Sequence, residues 1–530
     1  MGTLWYGGKI RTLQTENDVY DAIYVEKGKV IKIGSHNEII NMPDITISEE
    51  INLQGSVMYP GFVDSHLHMI GHGEKLLKLD VSELTSIDEL KEVLLKTVKD
   101  IPNGQWLLAE GFNENLYPNK IVPDRNILDE ISVNHPIIIT RVCRHAMTTN
   151  SFALNLANID ASVEDPPGGI IERDDDGIPT GYLHDQAQEL VRNLLPEYDF
   201  NYIENALATS LKDLHKHGYT GAHSEDLNYY GDATKTLEAF YRVIDGEKQK
   251  FRANLLVHHE VANEIFVEGD SIREKDPFVE LGSIKIFADG ALGGRTAFLS
   301  EAYSDDPETH GVAIHSQEQL ASIVQEARHF NMPVAIHTIG DLALEYAISA
   351  IEQFPVREGK RDRLIHLQVT RQDLLDRLQK LSVVLDIQPR FVASDFPWVE
   401  SRLGHSRLPY SFAWKTMLSH GLICAGGSDA PIEPIDPLLG IHAAVTRRNP
   451  SESHEGYGEK EKLSLYEALQ LFTIGSAKAI NMENKRGIIA TGYEADFTIL
   501  SEDLFELEPD EWLDVKVEKT VVDNSIMYER

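Results

Sequence analysis

The sequence predicts an α/β protein whose main domain is a (β/α)8 barrel, accompanied by a small composite β-sandwich formed by the N- and C-terminal segments. Two observations predict this fold class. Short apolar segments alternate with single amphipathic helical segments over the middle of the chain, which is typical of a buried parallel sheet covered by helices. Both ends, in contrast, contain short β-rich runs that are too few to form a stable core separately.

The middle of the chain supplies the repeated strand-and-helix pattern. Ser86, Ser316 and Ser464 are each followed three residues later by Glu or Gln, which predicts a capped helix start at each position. The helices are separated by apolar runs, among them Val334–His337, Leu364–Gln368, Val383–Ile387 and Leu422–Gly426. A closed barrel is the arrangement that best fits so many repeats. A doubly wound sheet is the alternative, although no Gly-x-Gly-x-x-Gly motif follows a strand.

The two ends of the chain define the expected second domain. Asp21–Glu26 and Lys29–Gly34 form a hairpin-like pattern, and similar β-rich runs recur near the C-terminus. We expect residues 1–57 and 487–530 to build the β-sandwich together, because each part would cover the exposed strand edges of the other. The barrel would then span residues 58–486, with an insertion at about 80–215.

Composition narrows the class of protein. The 530 residues carry a net charge of −36, which argues against nucleic acid or an anionic membrane as a partner because phosphate binding needs clustered Lys and Arg. Only two cysteines occur, so no disulfide framework is indicated. No long apolar segment and no secretory signal pattern is visible. We therefore expect a cytoplasmic protein with a small-molecule substrate. The sequence does not determine the oligomeric state, and a homo-oligomer is one option.

Candidate functional residues recur where predicted strands end. His66-x-His68 closes an apolar run, and two residues that are two apart on a strand point the same way. Alone, this pair could equally be two exposed or packed histidines. Comparable positions on other strands carry further polar side chains, namely Lys285, His337, His366 and Asp429. Because parallel barrel strands end on one face, these side chains are expected to converge there and to bind a metal ion.

The motifs around these residues resemble the amidohydrolase superfamily. The resemblance is carried by Pro60–His68, Gly427–Pro431 and Gly492–Leu500. Two further segments, Arg141–Ala146 and Lys285–Ala297, are similar to its family-3 branch of YtcJ-like and N-substituted formamide deformylase-like hydrolases. The matching motifs extend over nearly the whole chain and occur in the same order. The resemblance implies a metal-dependent (β/α)8 hydrolase with a composite β-sandwich.

The resemblance also implies a ligand set. His66 and His68 on the first strand, with Asp429 on the eighth, would hold the more buried metal, and His337 and His366 would hold a second. Lys285 matches a position at which many superfamily members carry a carboxylated lysine. Zinc suits histidine and carboxylate ligands. A site with one ion is the alternative to two, and Cys143 could be an additional ligand.

The expected reaction is hydrolysis of a C–N bond in an amide-like substrate, with an N-substituted formamide or a cyclic amide among the options. Asp429 would take a proton from the attacking water and return it to the leaving amine. A second metal, or His145 or His223, would polarise the carbonyl. Arg295 would pair with a substrate carboxylate or carbonyl, or else anchor its loop to an acidic neighbour.

Three other functions remain open from the sequence. A metal-dependent deaminase or isomerase could use the same scaffold, since the fold does not fix the reaction. A non-catalytic metal-binding barrel is the third option.

Overall fold

A computed structural model describes residues 2–141, 146–195, 200–268 and 276–530 of the chain. The chain divides into two compact units, one made of Met1–Gly73 with Ile203–Arg530 and the other of Glu74–Tyr202. The domain bounds expected from the sequence stay a prediction. What the structure shows is that the segment between the first and second barrel strands forms a unit with its own core.

The first unit contains an eight-stranded parallel sheet in which every strand pairs with the next one along the chain. The predicted (β/α)8 barrel is confirmed by this order. Its strands, called here the first to the eighth barrel strand, are Phe62–Leu67, Tyr219–Ser224, Arg252–His258, Val279–Phe287, Val334–Thr338, Asp362–His366, Val383–Ile387 and Ile423–Gly426.

The first and eighth strands meet just beyond the end of the eighth. The backbone nitrogen of Asp429 donates to the carbonyl oxygen of His66 at 2.7 Å, and that of His68 donates to the carbonyl oxygen of Ala430 at 2.8 Å. These bonds hold the two strand ends side by side. Residues that follow the eighth strand are therefore placed against the His66-x-His68 motif.

Helices follow most of the barrel strands. The capping boxes predicted at Ser316 and Ser464 are present, since each serine accepts from the backbone nitrogen three residues on. The α-helices of this part of the chain are Met69–Leu77, Phe200–Lys216, Ala233–Val243, Gln317–His329, Asp341–Gln353, Gln372–Leu378, Arg390–Asp395, Trp398–Leu403, Trp414–Ser419, Pro437–Thr446, Leu465–Gln470 and Ser476–Ala479.

The barrel interior contains a fully buried ion pair. Nε of Arg363 on the sixth strand donates to Oδ2 of Asp386 on the seventh at 2.6 Å, and neither side chain is exposed. The same guanidinium also donates to the carbonyl oxygen of Ser65, the residue before His66. A buried charge needs such a partner, and this pair fixes the backbone of the first strand next to its histidines.

Strands from both chain ends pair in one sheet, as the predicted fold class requires. The strand Val57–Pro60 joins the N-terminal strands to the C-terminal ones, because it pairs in parallel with Gly2–Arg11 and antiparallel with Phe497–Leu500. Trp5, Ile23 and Phe497 belong to the core of this sheet. The remaining strands are Val19–Glu26, Lys29–Gly34, Ile47–Asn52, Val517–Val522 and Ser525–Glu529, with the short helix His36–Ile40 beside them.

The second unit has a mixed six-stranded sheet. In sheet order its strands are Gly169–Arg173, Pro179–Asp185, Ala146–Thr149, Ile137–Arg141, Leu107–Phe112 and Leu79–Asp80. Its helices are Ile87–Thr97, Arg125–Asp129, Ser151–Leu156 and Glu189–Arg192. The helix start predicted at Ser86 is confirmed, since the Ser86 side chain accepts from the Glu89 nitrogen.

Across the described residues there is no helix with the length and apolarity needed to cross a membrane. The cytoplasmic location stays a prediction from the sequence.

Candidate metal centre

The turn that carries Asp429 is fixed by Asp64 of the first strand. The Asp64 carboxylate accepts from the backbone nitrogen of His66 at 3.0 Å and from that of Ser428 at 3.0 and 3.1 Å. A Cβ atom at Gly427 would lie 2.6 Å from the His66 nitrogen, so this turn requires glycine. Asp429 itself has a φ of 58°, a left-handed conformation that non-glycine residues adopt mainly where surrounding structure enforces it.

Asp429 meets both histidines of the first strand. Its Oδ1 lies 3.5 Å from Nε2 of His66 and 3.5 Å from Nε2 of His68. Each of the three residues offers an atom within 4.8 Å of the other two, and within the described ranges this is the one histidine, cysteine or carboxylate group found with metal-binding geometry. Two imidazole nitrogens and a carboxylate oxygen form a donor set that suits zinc.

The orientation of His68 is set from its far side. Its Nδ1 lies 2.5 Å from the carbonyl oxygen of Glu225, the first residue after the second barrel strand. A carbonyl oxygen only accepts, so Nδ1 carries a proton, and Nε2 is the nitrogen that faces Asp429 and is left to bind a second proton or a metal ion. The Glu225 carboxylate is fully buried, and its Oε2 lies 3.8 Å from the same Nδ1.

Lys285 lies inside the barrel beside the first histidine. It belongs to the fourth strand, is 1% exposed, and its Nζ donates to Nε2 of His66 at 3.1 Å. Burial lowers the pKa of the Lys285 amine, while the nearby Glu225 and Asp429 carboxylates act to raise it. The structure therefore places Lys285 beside the cluster, and its role as a metal ligand stays a prediction.

His337 and His366 lie next to each other at the ends of the fifth and sixth strands. Their ring centroids are 4.4 Å apart, and those of His366 and His66 are 5.7 Å apart. Nδ1 of His366 donates to the Gln388 side-chain oxygen at 2.7 Å, so Nε2 is the nitrogen left to bind a metal ion. Nε2 of His337 donates to the carbonyl oxygen of Gly290 at 3.1 Å. Each of the six residues expected to bind metal therefore contacts at least one other member of the group.

The charges of the cluster are tightly coupled. Burial acts to lower the pKa of His68, but the Asp429 and Glu225 carboxylates prevail and raise it to about 9. Burial would raise the pKa of Asp429, yet His68 and the other cations hold it below its usual value. Burial and Lys285 keep the pKa of His66 far below its normal range. A divalent cation at this place would replace the proton on His68 as the partner of Asp429.

The residues expected to polarise the substrate are less closely connected. His145, with Cys143, falls outside the described residues. His223 is buried on the second strand and lines a cavity of about 30 Å³ with Gly61 and Arg252, which lie at the starts of the first and third strands. Burial, followed by the charges of Arg363 and Arg486, lowers its pKa well below the usual value. Its catalytic role stays a prediction.

Arg295 has an acidic partner in the structure. Its Nε and Nη2 donate to the two carboxylate oxygens of Asp305 at 3.2 and 3.0 Å, and Arg402 donates to the same carboxylate. This geometry is the one expected if the residue anchors its loop. Substrate binding by Arg295 stays a prediction.

Two residues of the centre escaped the sequence analysis. Glu225 follows the Gly221–Ser224 segment directly, and Gln388 follows the seventh strand directly. Both occupy the strand-end position that singled out His337 and His366. A search of every predicted strand end for any carboxylate or amide, rather than for histidine and aspartate alone, would have found them.

Comparison with known proteins places this geometry in a family. A model described as "Amidohydrolase family" matches residues 49–528. The chain belongs to the amidohydrolase family. The predicted resemblance is therefore confirmed, and the His66-x-His68 motif lies within the matched range.

Relatives of this amidohydrolase cover it almost completely. It is 46% identical over 532 residues to the YtcJ amidohydrolase of Bacillus subtilis (strain 168), covering 100% of each chain. It is 27% identical over 548 residues to the N-substituted formamide deformylase of Arthrobacter pascens, covering 98% of this chain and 97% of that one. A solved structure described as an uncharacterized metal-dependent hydrolase from Pyrococcus furiosus superposes with a TM-score of 0.78 at 25% identity, over 95% and 99% of the two chains.

Family membership makes the protein a hydrolase and implies a small-molecule substrate. Together with the cluster of His66, His68 and Asp429, it also indicates a divalent metal.

Proposed function

We propose that the protein is a zinc-dependent hydrolase that cleaves the C–N bond of an amide-like small molecule. The observation that carries the proposal is the position of Asp429 Oδ1, 3.5 Å from Nε2 of both His66 and His68. A carboxylate at this point would be a metal ligand and also a base next to a water molecule that a metal ion would hold. Both roles are needed for hydrolysis at neutral pH.

His66, His68 and Asp429 are the proposed ligands of the first ion. The residues fit a zinc ion in chemistry and in orientation, because Nδ1 of His68 donates to the backbone carbonyl oxygen of Glu225 and Nε2 is left to face the other ligands. A bound divalent metal would lower the pKa of a water molecule at this place toward ~7.

A second ion is proposed next to the first. His337 and His366 would hold it, and Lys285 lies 3.1 Å from His66 with its Nζ facing the cluster. Carboxylation of Lys285 would convert a buried cation into an anion that suits two metals. The alternative with one ion keeps Lys285 as the charge partner of Glu225 and Asp429.

Asp429 is proposed to move the proton. Its carboxylate would accept a proton from the attacking water as the oxygen forms its bond to the substrate carbon. It would then give that proton to the nitrogen as the C–N bond breaks, so that the amine leaves neutral. The lowered pKa of Asp429 keeps the carboxylate ionised before the substrate arrives.

N-substituted formamides and cyclic amides are the substrate classes we propose to examine first. The support is the likeness over 98% of the chain to a relative named N-substituted formamide deformylase. Cyclic amides belong to the same reaction class, because their hydrolysis also adds water across a C–N bond.

The proposal is tested on protein purified without chelator. Metal content by mass spectrometry gives the number of zinc ions per chain, and a panel of N-alkyl formamides, N-acyl amino acids and cyclic amides is then assayed for amine release in H2¹⁸O. We expect one or two zinc ions and a carboxylate product that contains one ¹⁸O atom. Zinc-loaded protein that hydrolyses no member of the panel would contradict the proposed bond class, and protein that binds no divalent metal would contradict the metal centre.

A further inference from the structure

Glu225 is a buried carboxylate whose contacts are incomplete. It is 0% exposed, and its Oε2 accepts the hydroxyl of Tyr229 at 2.6 Å. Its Oε1 is buried too and makes no hydrogen bond within the described residues. Among the residues that the structure describes, the one basic nitrogen within 4.0 Å of this carboxylate is Nδ1 of His68, at 3.8 Å. A buried anion in this condition is costly unless positive charge lies close by.

The surroundings of Glu225 point to the metal centre as that charge. The residue touches His68 twice, through its backbone oxygen at 2.5 Å and through its carboxylate. On the opposite side of the His68 ring, Nε2 faces Asp429. The ring therefore stands between the Glu225 carboxylate and the proposed ion.

Tyr229 contacts both this carboxylate and the His68 ring. The residue is 44% exposed, and its ring packs edge-on against His68 with centroids 5.9 Å apart. Its hydroxyl donates to Oε2 of Glu225 at 2.6 Å, so its proton is committed to that carboxylate. Tyr229 thus holds the Glu225 carboxylate in one place.

We infer that Glu225 is a positioning residue of the metal centre: its backbone carbonyl holds His68 in the ligating orientation, and its carboxylate, fixed by Tyr229, places negative charge behind that ring and so strengthens metal binding. The inference rests on the proposed function only in requiring that the cluster binds a divalent metal. Carboxylates behind a ligating histidine raise its basicity and fix its orientation, and losing such a partner costs roughly 10–100-fold in metal affinity.

The test measures zinc affinity in the full chain without any substrate. Metal is removed by chelation, and the dissociation constant is obtained by competition with a chromophoric chelator. Glu225→Gln preserves shape and can still accept from Tyr229, but it removes the charge. We expect its zinc affinity to fall by about 10–100-fold. Tyr229→Phe should weaken binding in the same direction by a smaller factor.

A matched control is Glu433→Gln. Glu433 is also a buried glutamate that follows a barrel strand, but its carboxylate pairs with Arg390 and not with a proposed ligand. We expect its zinc affinity to stay within about threefold of the parent. The cobalt-loaded proteins add a second measure, since the visible absorption of cobalt reports ligand geometry. That spectrum should change in Glu225→Gln and stay unchanged in Glu433→Gln.

The outcomes separate this inference from the proposed function. Equal zinc affinity in Glu225→Gln and the parent would overturn the inference alone, and so would an equal loss in Glu433→Gln. A parent protein that binds no zinc would overturn both. If Glu225→Gln does not fold, the partly exposed Tyr229→Phe decides, and unchanged affinity in that variant overturns the inference.

Discussion

His66 and Asp429 are joined twice, although 363 positions separate them in the chain. The backbone nitrogen of Asp429 donates to the carbonyl oxygen of His66 at 2.7 Å, and the Asp429 carboxylate lies 3.5 Å from the His66 ring. The backbone bond joins the eighth barrel strand to the first. The same contact that completes the barrel therefore also assembles the proposed metal centre.

Replacing Asp429 by Asn should separate catalysis from metal binding. An asparagine oxygen still faces the two histidines but cannot accept a proton at neutral pH, so turnover should fall by about 10²–10⁴-fold. The assay uses saturating zinc, with metal content measured on the same sample. Full activity in Asp429→Asn would show that another group moves the proton.

Replacing His68 by Asn should remove one ligand of the centre. We expect zinc affinity to fall by more than the roughly 10–100-fold that is typical of losing an outer partner. His405→Asn provides the control, because His405 is exposed and lies outside the cluster. Chelator competition measures both variants, and an unchanged affinity for His68→Asn would exclude this residue as a ligand.

Breaking the buried ion pair in the barrel should destabilise the fold strongly. Asp386→Asn leaves the Arg363 charge without its partner, which typically costs about 3–5 kcal/mol. The double variant Arg363→Met with Asp386→Leu removes both charges and should lose less. Thermal unfolding of the metal-free proteins compares the stability of these variants. Asp305→Asn is the control, because it breaks a partly exposed ion pair and should lower the stability by less than ~1 kcal/mol. A double variant that is less stable than the single one would contradict this prediction.

His215 should make the protein less stable in mild acid. Burial lowers its pKa from 6.5 to about 4, although Nε2 donates to the Lys250 carbonyl oxygen. Between pH 6.5 and pH 4 the unfolded chain therefore binds a proton that the folded chain does not. Above pH 6.5 this histidine does not lower the free energy of unfolding. As pH falls below 6.5 it lowers that free energy progressively, by roughly 3 kcal/mol at most.

The comparison with His215→Gln isolates this effect from the other histidines. The stability of the parent relative to the variant should drop between pH 7.5 and pH 5, as measured by the difference in melting temperature. A difference that is independent of pH would contradict the assignment.

The sequence was most informative where a residue type is unusual for its position. Histidines and a lysine at or within apolar strands predicted the proposed centre, because such residues are rarely placed there for packing. The barrel followed from the alternation of strands and helices, and the ends were recognised by their short β-rich runs.

Other features depend on contacts between distant residues and had no local signal. The pairing of Arg363 with Asp386, and of Glu225 with Tyr229, is visible only once the strands are side by side. The segment between the first two barrel strands was predicted only as an insertion at about 80–215, yet it contains a six-stranded sheet with its own buried core. The short strands of this sheet are stabilised by one another rather than by local preference.

The proposed function requires a metal ion between His66, His68 and Asp429. Diffraction data collected on crystals of the protein on both sides of the zinc absorption edge test it most directly. We predict an anomalous peak about 2.0–2.2 Å from Nε2 of both histidines and from a carboxylate oxygen of Asp429. Crystals grown with zinc that show no peak at this position, or a peak only elsewhere, would contradict a metal centre at these three residues.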